Sequence, residues 1–211
     1  MATVSWIEDA DVTANLRISE PKTIANGMKL LELSYNGKSV LIQTPLLLAP
    51  FGANDKFEPG KFKLMLRLAA ARDHAKARLD QFLSLIRSIE EAVILHVWKN
   101  QESILGSSDK ALEIITDRYS PLIKKGKGNY EDALNLLVKQ DAMVFDFATK
   151  TQKDKDYITR NSHNIVLFQL GSIWVTSKGF GLSAAVLQAL VTPSTEQKIS
   201  SFMIVPEVVP Q

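Results

Sequence analysis

The stretch KFKLMLRLAAARDHAKARLDQFLSLIRSIEEAVILHV, Lys61 to Val97, changes its hydrophobic period midway. In its first eight residues Phe62, Leu64, Leu66 and Leu68 alternate with Lys61, Lys63, Met65 and Arg67. A period of two is that of a strand, here with one apolar face for a core and an opposite face that is mostly cationic. From Asp73, a residue type that caps helix N-termini, the apolar positions become Leu79, Phe82, Leu83, Ile86, Ile89, Val93 and Val97. That spacing predicts an amphipathic helix running to about Asn100. A long helix thus interrupts the chain directly after a strand, and the fold class depends on what surrounds the pair.

The surroundings read mostly as strands. In GMKLLELSYNGKSVLIQTPLLL, Gly27 to Leu48, two β-compatible runs flank Asn36-Gly37, the pair that most readily takes the positive φ angles of a two-residue hairpin turn. Pro45, Pro50 and Gly52 then end the second run. Ser107-Ser108-Asp109 offers an N-cap for a shorter helix through Ala111, Leu112, Ile115 and Tyr119, stopped by Pro121. LIKKGKGNY, Leu122 to Tyr130, reads as a mobile basic loop. Beyond it ALNLLVKQ, AMVFDFAT, NIVLFQLGSIWVTS and GLSAAVLQALVT form four expected strands, the last with an Ala content that also suits a helix. No repeat, low-complexity tract or linker divides the chain. The expectation is one mainly β domain with α (α+β) over residues 1–211, with a core from 12 to 192 and a tail from 193 to 211.

Composition excludes several function classes. With 211 residues and 45% of them hydrophobic, the chain can build a core without disulfides or metal. It has no Cys, which removes disulfide frameworks, thiolate zinc sites and thiol catalysis and fits a reducing compartment. No apolar run approaches the roughly 20 residues that span a bilayer, and MATVSWIEDADV lacks the basic start and apolar centre of a signal peptide. A soluble, non-exported protein without a membrane partner is expected. His74, His96 and His163 lack metal-ligand spacing, KKGKGNY is not a phosphate-binding loop, and no nucleophile elbow occurs. Carboxylate pairs such as Glu90-Glu91 and Asp154 with Asp156 sit beside cations, as solvated surface does. No enzymatic activity, metal or cofactor is expected.

What remains is a set of cations interleaved with rings. The formal net charge is only +2, yet Lys56, Lys61, Lys63, Arg67, Arg72, Lys76, Arg78 and Arg87 crowd one segment and Lys124, Lys125 and Lys127 another. Tyr35, Phe51, Phe57, Trp174 and Phe180 supply rings, and Lys38 stands across the Asn-Gly turn from Tyr35. Single-stranded nucleic acid is held by this combination, because phosphates call for Lys or Arg along a groove and unstacked bases call for flat rings. The candidate interface is therefore Tyr35, Lys38, Phe51, Lys61, Lys63, Arg67, Lys124, Lys125, Lys127, Trp174, Lys178 and Phe180. Each ring has the alternative role of a core side chain, and each charge that of ordinary soluble surface. In GSIWVTSKGFG, Gly171 to Gly181, one ring is expected to face the ligand and the other the core; strand alternation from Ile173 favours Trp174 as the outward member.

The order YNGKSVLIQTPLLLAPFG, a basic strand, a long helix, RYSPLIKKG and LFQLGSIWVTSKGFGLSAAVLQALV resembles the single-stranded-DNA-binding proteins of nucleocytoplasmic large DNA viruses, of the phycodnavirus and mimivirus kind. These are themselves similar to the single-stranded-DNA-binding proteins of short-tailed phages. The resemblance spans Val12 to Thr192 and is most specific over Gln43 to Gly52 and Trp174 to Gln188. It implies an OB-fold-like β-barrel with a long inserted helix and a shorter second one. It also implies sequence-tolerant coating of single-stranded DNA in viral replication, recombination or repair, in the cytoplasm or nucleus of the infected cell. On that reading Lys178 lies near phosphate.

Phage members of this kind end in an acidic tail that recruits replication proteins, whereas SSFMIVPEVVPQ has a single acid, Glu207. The segment reads instead as an apolar docking element, for its own barrel or for a neighbouring subunit in a homo-oligomer. RNA is a polyanion of the same chemistry, and nothing in the sequence is built to read a 2′-hydroxyl. The alternative from another class is a non-enzymatic viral structural or assembly protein, using the basic strand and the apolar C-terminal segment for protein contacts.

Overall fold

The alternation at Lys61–Leu68 becomes a strand with Leu64 and Leu66 fully buried and Lys63 and Arg67 exposed. In a computed structural model that describes residues 14–55, 60–70 and 73–194, the elements run in this order. β1 (Leu16–Ile18), β2 (Lys22–Thr23), β3 (Lys29–Tyr35), β4 (Val40–Gln43), β5 (Leu47–Ala49), β6 (Ala53–Asn54) and β7 (Lys63–Arg67) precede the helices. α1 (Asp73–Lys99), α2 (Gln101–Leu105) and α3 (Leu112–Asp117) follow. β8 (Tyr119–Ser120), β9 (Ile123–Lys124), β10 (Ala133–Asp146), β11 (Gln152–Lys153), β12 (Ser162–Val175) and β13 (Phe180–Thr192) complete the fold. It is strand-rich, with three helices. Phe57, the side chain of the expected Asp73 cap and the apolar tail lie outside the described residues.

The strand pairing closes on itself. β5 pairs with β12, β12 with β13, β13 with β10, β10 with β7, and β7 with β5. The β10–β13 pair is parallel and the other four are antiparallel. Inside this circuit lie Leu31, Val40, Leu64, Leu66, Leu134, Leu136, Phe168, Ile173 and Phe180, all nearly or fully removed from water. Phe82, Ile86, Ile89, Val93 and Val97, the predicted stripe of α1, join the same core. Phe82 meets Phe168 edge-on at 6.5 Å between ring centroids.

One long edge of β12 is covered by β3, β4 and β5 laid end to end, and here the sequence expectation needs correction. Asn36 and Gly37 do take φ 49° and 71°, and Tyr35 and Lys38 exchange backbone hydrogen bonds of 2.9 and 3.0 Å. The turn is as expected, but β3 and β4 do not form the hairpin ladder. Both pair with β12, and the eight steps from Glu32 to Val40 pass opposite only two, from Ser172 to Leu170. The excess residues form a flap whose other side pairs with β1. Pro45 ends β4 as expected. The Thr44 hydroxyl accepts the Val166 N–H at 3.0 Å beside it, so the ladder resumes at β5 without an unpaired amide.

Other boundaries also differ. ALNLLVKQ and AMVFDFAT are one strand, β10, broken only by a bulge in which Val138 to Met143 lies opposite Val186 to Gln188. The Ala-containing last segment is β13, because it is clamped between β12 and β10 and tertiary pairing overrides its propensity. The expected second helix is the short α3, and α2, which lies before Ser107, is an additional helix. Ser107 Oγ donates to Asp109 rather than capping, and α3 starts after Ala111 with no side-chain cap. The buried Gln101 ties the turn instead, accepting from Lys110 N at 2.9 Å and donating back to its carbonyl. Tyr119 lies beyond α3, in a strand.

Candidate nucleic-acid interface

Directly paired residues on neighbouring strands point to the same face, so register alone assembles the outer surface. Trp174 pairs with Leu30 on one side and Gly181 on the other, and Gly181 pairs with Ser120. Leu30, Trp174, Gly181 and Ser120 thus form one row across β3, β12, β13 and β8. Ser120 Oγ accepts from Lys124 Nζ at 2.9 Å. Lys124 in turn pairs with Ala133, and Ala133 with Arg67, giving a second row across β9, β10 and β7. With strands about 4.8 Å apart, Lys124 and Arg67 stand about 10 Å from one another. Farther along the β7–β10 ladder Met65 faces Asn135 and Lys63 faces Leu137, and the exposed apolar Leu137 lies among the cations.

The GSIWVTSKGFG hairpin answers its own question. Ile173, Val175 and Phe180 are buried while Trp174 is only partly buried, on the outer side. The Trp174 ring lies against the backbone of Gly181, where a Cβ would come within 2.8 Å of a ring carbon and of the Ser120 carbonyl oxygen. Glycine at 181 is what lets the indole lie down on the sheet. Phe180, kept above among the interface candidates although alternation favoured Trp174 as the outward ring, is 0% exposed and packs on Tyr119 at 5.3 Å. It belongs to the core and is removed from the interface. Lys178 is exposed at the hairpin tip, which is closed by Thr176 and Gly179 and held by Arg118 Nη2 donating to Ser177 O at 3.0 Å.

The remaining expected residues divide between this face and other places. Lys63, Arg67 and Lys124 meet on it, with Arg67 loosely paired to Glu131 at 3.9 Å. Lys61 is exposed just before β7. Phe51, 61% exposed, occupies the bend between β5 and β6, whose flanking residues Leu48 and Ala53 pair with Arg67 and Leu64 on the other edge of β7. Tyr35 and Lys38 are on the flap, tied to β1 and away from these rows, and Tyr35 packs partly on the core. Lys125 and Lys127 are exposed, but their loop is folded. Gly126 N donates to Asp132 Oδ1 at 3.0 Å, Tyr130 N to Lys127 O at 3.3 Å, and Leu68 N to Asp132 O at 2.8 Å.

That loop presents Tyr130, 82% exposed, a ring the sequence reading passed over although it closes the quoted basic stretch. An aromatic ending a Lys-Gly-rich segment was the available signal. Arg118 was likewise missed. Among the described residues no group of three or more His, Asp or Glu is arranged to hold a metal.

Glu90 holds the segment that joins the two rows. From α1 it accepts Leu122 N at 2.7 Å and the Tyr119 hydroxyl at 3.1 Å, and it is 8% exposed. Burial pushes its carboxyl above the usual range, opposed by those two hydrogen bonds and by the Lys124 and Arg87 charges. Burial first, and then Glu90 itself, raises the Tyr119 phenol. A carboxyl whose pKa rises on folding favours the fold while protonated, and that contribution is lost as pH rises through the folded-state value. Glu90→Gln keeps an acceptor and cannot ionise, so its stability relative to the parent should improve from pH 4 to pH 8 in urea titrations. Glu90→Ala should lose about 1–3 kcal/mol for each buried donor left unpaired. Equal midpoints for the Ala and Gln variants at neutral pH would contradict this.

The fold and face define a strand-rich, non-helical-bundle protein whose outer surface combines partly exposed rings with cations. Comparison with protein-family models finds no match, and comparison with curated proteins finds none either. Among solved structures the chain is similar to gp2.5, a single-stranded DNA-binding protein encoded by bacteriophage T7, with TM-score 0.51 and 11% identity over 78% of this chain and 98% of that one. It is also similar to the single-stranded DNA-binding protein from bacteriophage Enc34, with TM-score 0.48 and 13% identity over 87% of this chain and 96% of that one. That protein in complex with single-stranded DNA matches with TM-score 0.48 and 12% identity, over 85% and 97% of the two chains. At 11% identity the likeness to the T7 protein is one of fold.

Proposed function

We propose that the chain binds single-stranded DNA without sequence preference on the outer face of β7, β10, β9, β8 and the β12–β13 hairpin, and takes part without catalysis in viral DNA replication, recombination or repair inside the host cell. The observation that carries this is the continuity of the two rows, Trp174–Gly181–Ser120 and Lys124–Ala133–Arg67, joined by the Ser120–Lys124 hydrogen bond. A stacking platform thereby lies beside an electrostatic track, the pairing that sequence-tolerant binding of a single strand requires. Leu137, Met65 and Asn135 give the track an uncharged floor on which bases can rest.

The reading of the fold as an OB-type barrel supports the placement. Taken in chain order, the strands of the closed circuit are β3–β5, β7, β10, β12 and β13, with the third and fifth parallel. In that arrangement the ligand face is made by the second and third strands, with the loops joining the first to the second and the fourth to the fifth. Those correspond here to the β7–β10 ladder, the bend carrying Phe51 and the hairpin carrying Lys178. The likeness of fold to the T7 protein, and the resemblance of Gln43–Gly52 and Trp174–Gln188 to motifs of the large DNA viruses, favour the viral context.

Fluorescence anisotropy with labelled oligo-dT at several salt concentrations tests the proposal, with RNA and duplex DNA as competitors. Each phosphate contact to a single strand contributes about −0.7 to the slope of log K against log salt, so replacing Lys63, Arg67 and Lys124 together by Ala should flatten it by about two units. An unchanged slope in the folded triple variant would put the ligand elsewhere.

A further inference from the structure

Beyond the bulge in β10 the outer surface changes character. Phe145, Leu190 and Ile165 form one directly paired row across β10, β13 and β12, and Met143, Gln188 and Leu167 form the next. Their inward neighbours Val144, Ala189, Val191 and Val166 are buried in the core, so these six residues point outward. Met143 and the following Phe147 are 38% and 42% exposed. No charged residue occurs in either row, and five of the six outward side chains are apolar, Gln188 being the exception; Gln152 and Gln43 continue the rows at their ends. A sheet face open to water normally alternates apolar-in with polar-out, and here the outer side is mostly apolar as well.

We infer that this face is a docking surface for the chain's own C-terminal segment, Phe202 to Val209. The described structure places the departure point. Thr192, the last residue of β13, pairs with His163, immediately beyond the Leu190–Ile165 row. Nine residues, PSTEQKISS, then separate Thr192 from FMIVPEVV, which has six apolar side chains and one charge. A connection of that length reaches up to about 30 Å, enough to return over either row. An apolar segment tethered at the border of an apolar face has a high effective concentration there, while a basic face holds nothing for it. The N-terminal stretch, which carries Glu8, Asp9 and Asp11, is the poorer occupant, because it leads into β1, which pairs with Leu33–Tyr35 on the flap.

The chain has no cysteine, so introduced thiols are the only ones present. Gln188→Cys combined with Met203→Cys, treated with a short bis-maleimide at low protein concentration, should link within one chain. Lys38→Cys with Met203→Cys, whose first site is on the flap, should link far more slowly. In parallel, removal of residues 195–211 should raise the fluorescence of bound ANS several-fold and lower Tm, with oligo-dT affinity unchanged. Links between two chains would assign the face to a second copy and overturn the inference. Linking no faster than the control pair, or dye binding unchanged by truncation, overturns it equally.

Discussion

Phe180→Ala should cost about 3–5 kcal/mol of folding stability, the range for truncating a buried aromatic, while the folded fraction binds oligo-dT as the parent does. The ring is fully buried at the first residue of β13, between Val175 of β12 and Tyr119 of β8. Its backbone N–H donates to Arg118 O at 3.1 Å, so the same residue fastens the short β8 to the sheet. The cavity would not collapse easily. Tyr119, the ring that would have to move into it, is held by Glu90, and Gly181 on the next position is pressed between Trp174 and Ser120. Phe180→Leu, which leaves less empty volume, should cost a fraction as much. Urea titrations of the three proteins measure this, and a shifted midpoint with unchanged slope identifies a stability effect. A midpoint for Phe180→Ala equal to that of the parent would place the ring outside the core.

The elements carried by hydrophobic period were legible in the sequence. The alternation of β7 and the stripe of α1 each bury the residues their spacing selects, since a half-buried strand and an amphipathic helix have no other way to remove those side chains from water. Trp174 and Phe180 separated correctly between outer face and core for the same reason. What stayed illegible was set by long-range pairing. Asn36-Gly37 specifies a turn, but whether its flanks pair with each other or with a strand well over a hundred residues away depends on β12, which no local signal identifies. The strand character of Tyr119–Ser120 likewise arises only from β13 and Glu90, so a short stretch after an apparent helix became the joint between the ring and the cations. Tyr35 and Lys38 were grouped with the interface on residue type alone, and the flap carries them away from it.

Trp174→Ala should weaken oligo-dT binding about tenfold or more, because stacking a base on a ring is worth about 1–3 kcal/mol, and it should do so without changing the salt slope. The distinction follows from chemistry. Indole carries no charge, so its loss releases no fewer counterions, whereas removal of Lys63, Arg67 and Lys124 acts on the slope first. The geometry makes Trp174 separable from the core. Its neighbours in the row are Leu30 and Gly181, its inward flanks Ile173 and Val175 keep the packing of β12, and the ring rests on bare backbone at Gly181. Truncation therefore uncovers sheet surface and leaves the interior filled, so Tm should fall much less than for Phe180→Ala. Trp174→Phe should restore most of the affinity, as a smaller ring still offers a flat face. Titrations at one fixed salt concentration, paired with melting curves, decide the matter. Should Trp174→Ala melt as far below the parent as Phe180→Ala does while its folded fraction binds normally, the indole would be a structural brace for the Tyr119–Ser120 strand, and the stacking platform would have to be sought at Tyr130 or Phe51.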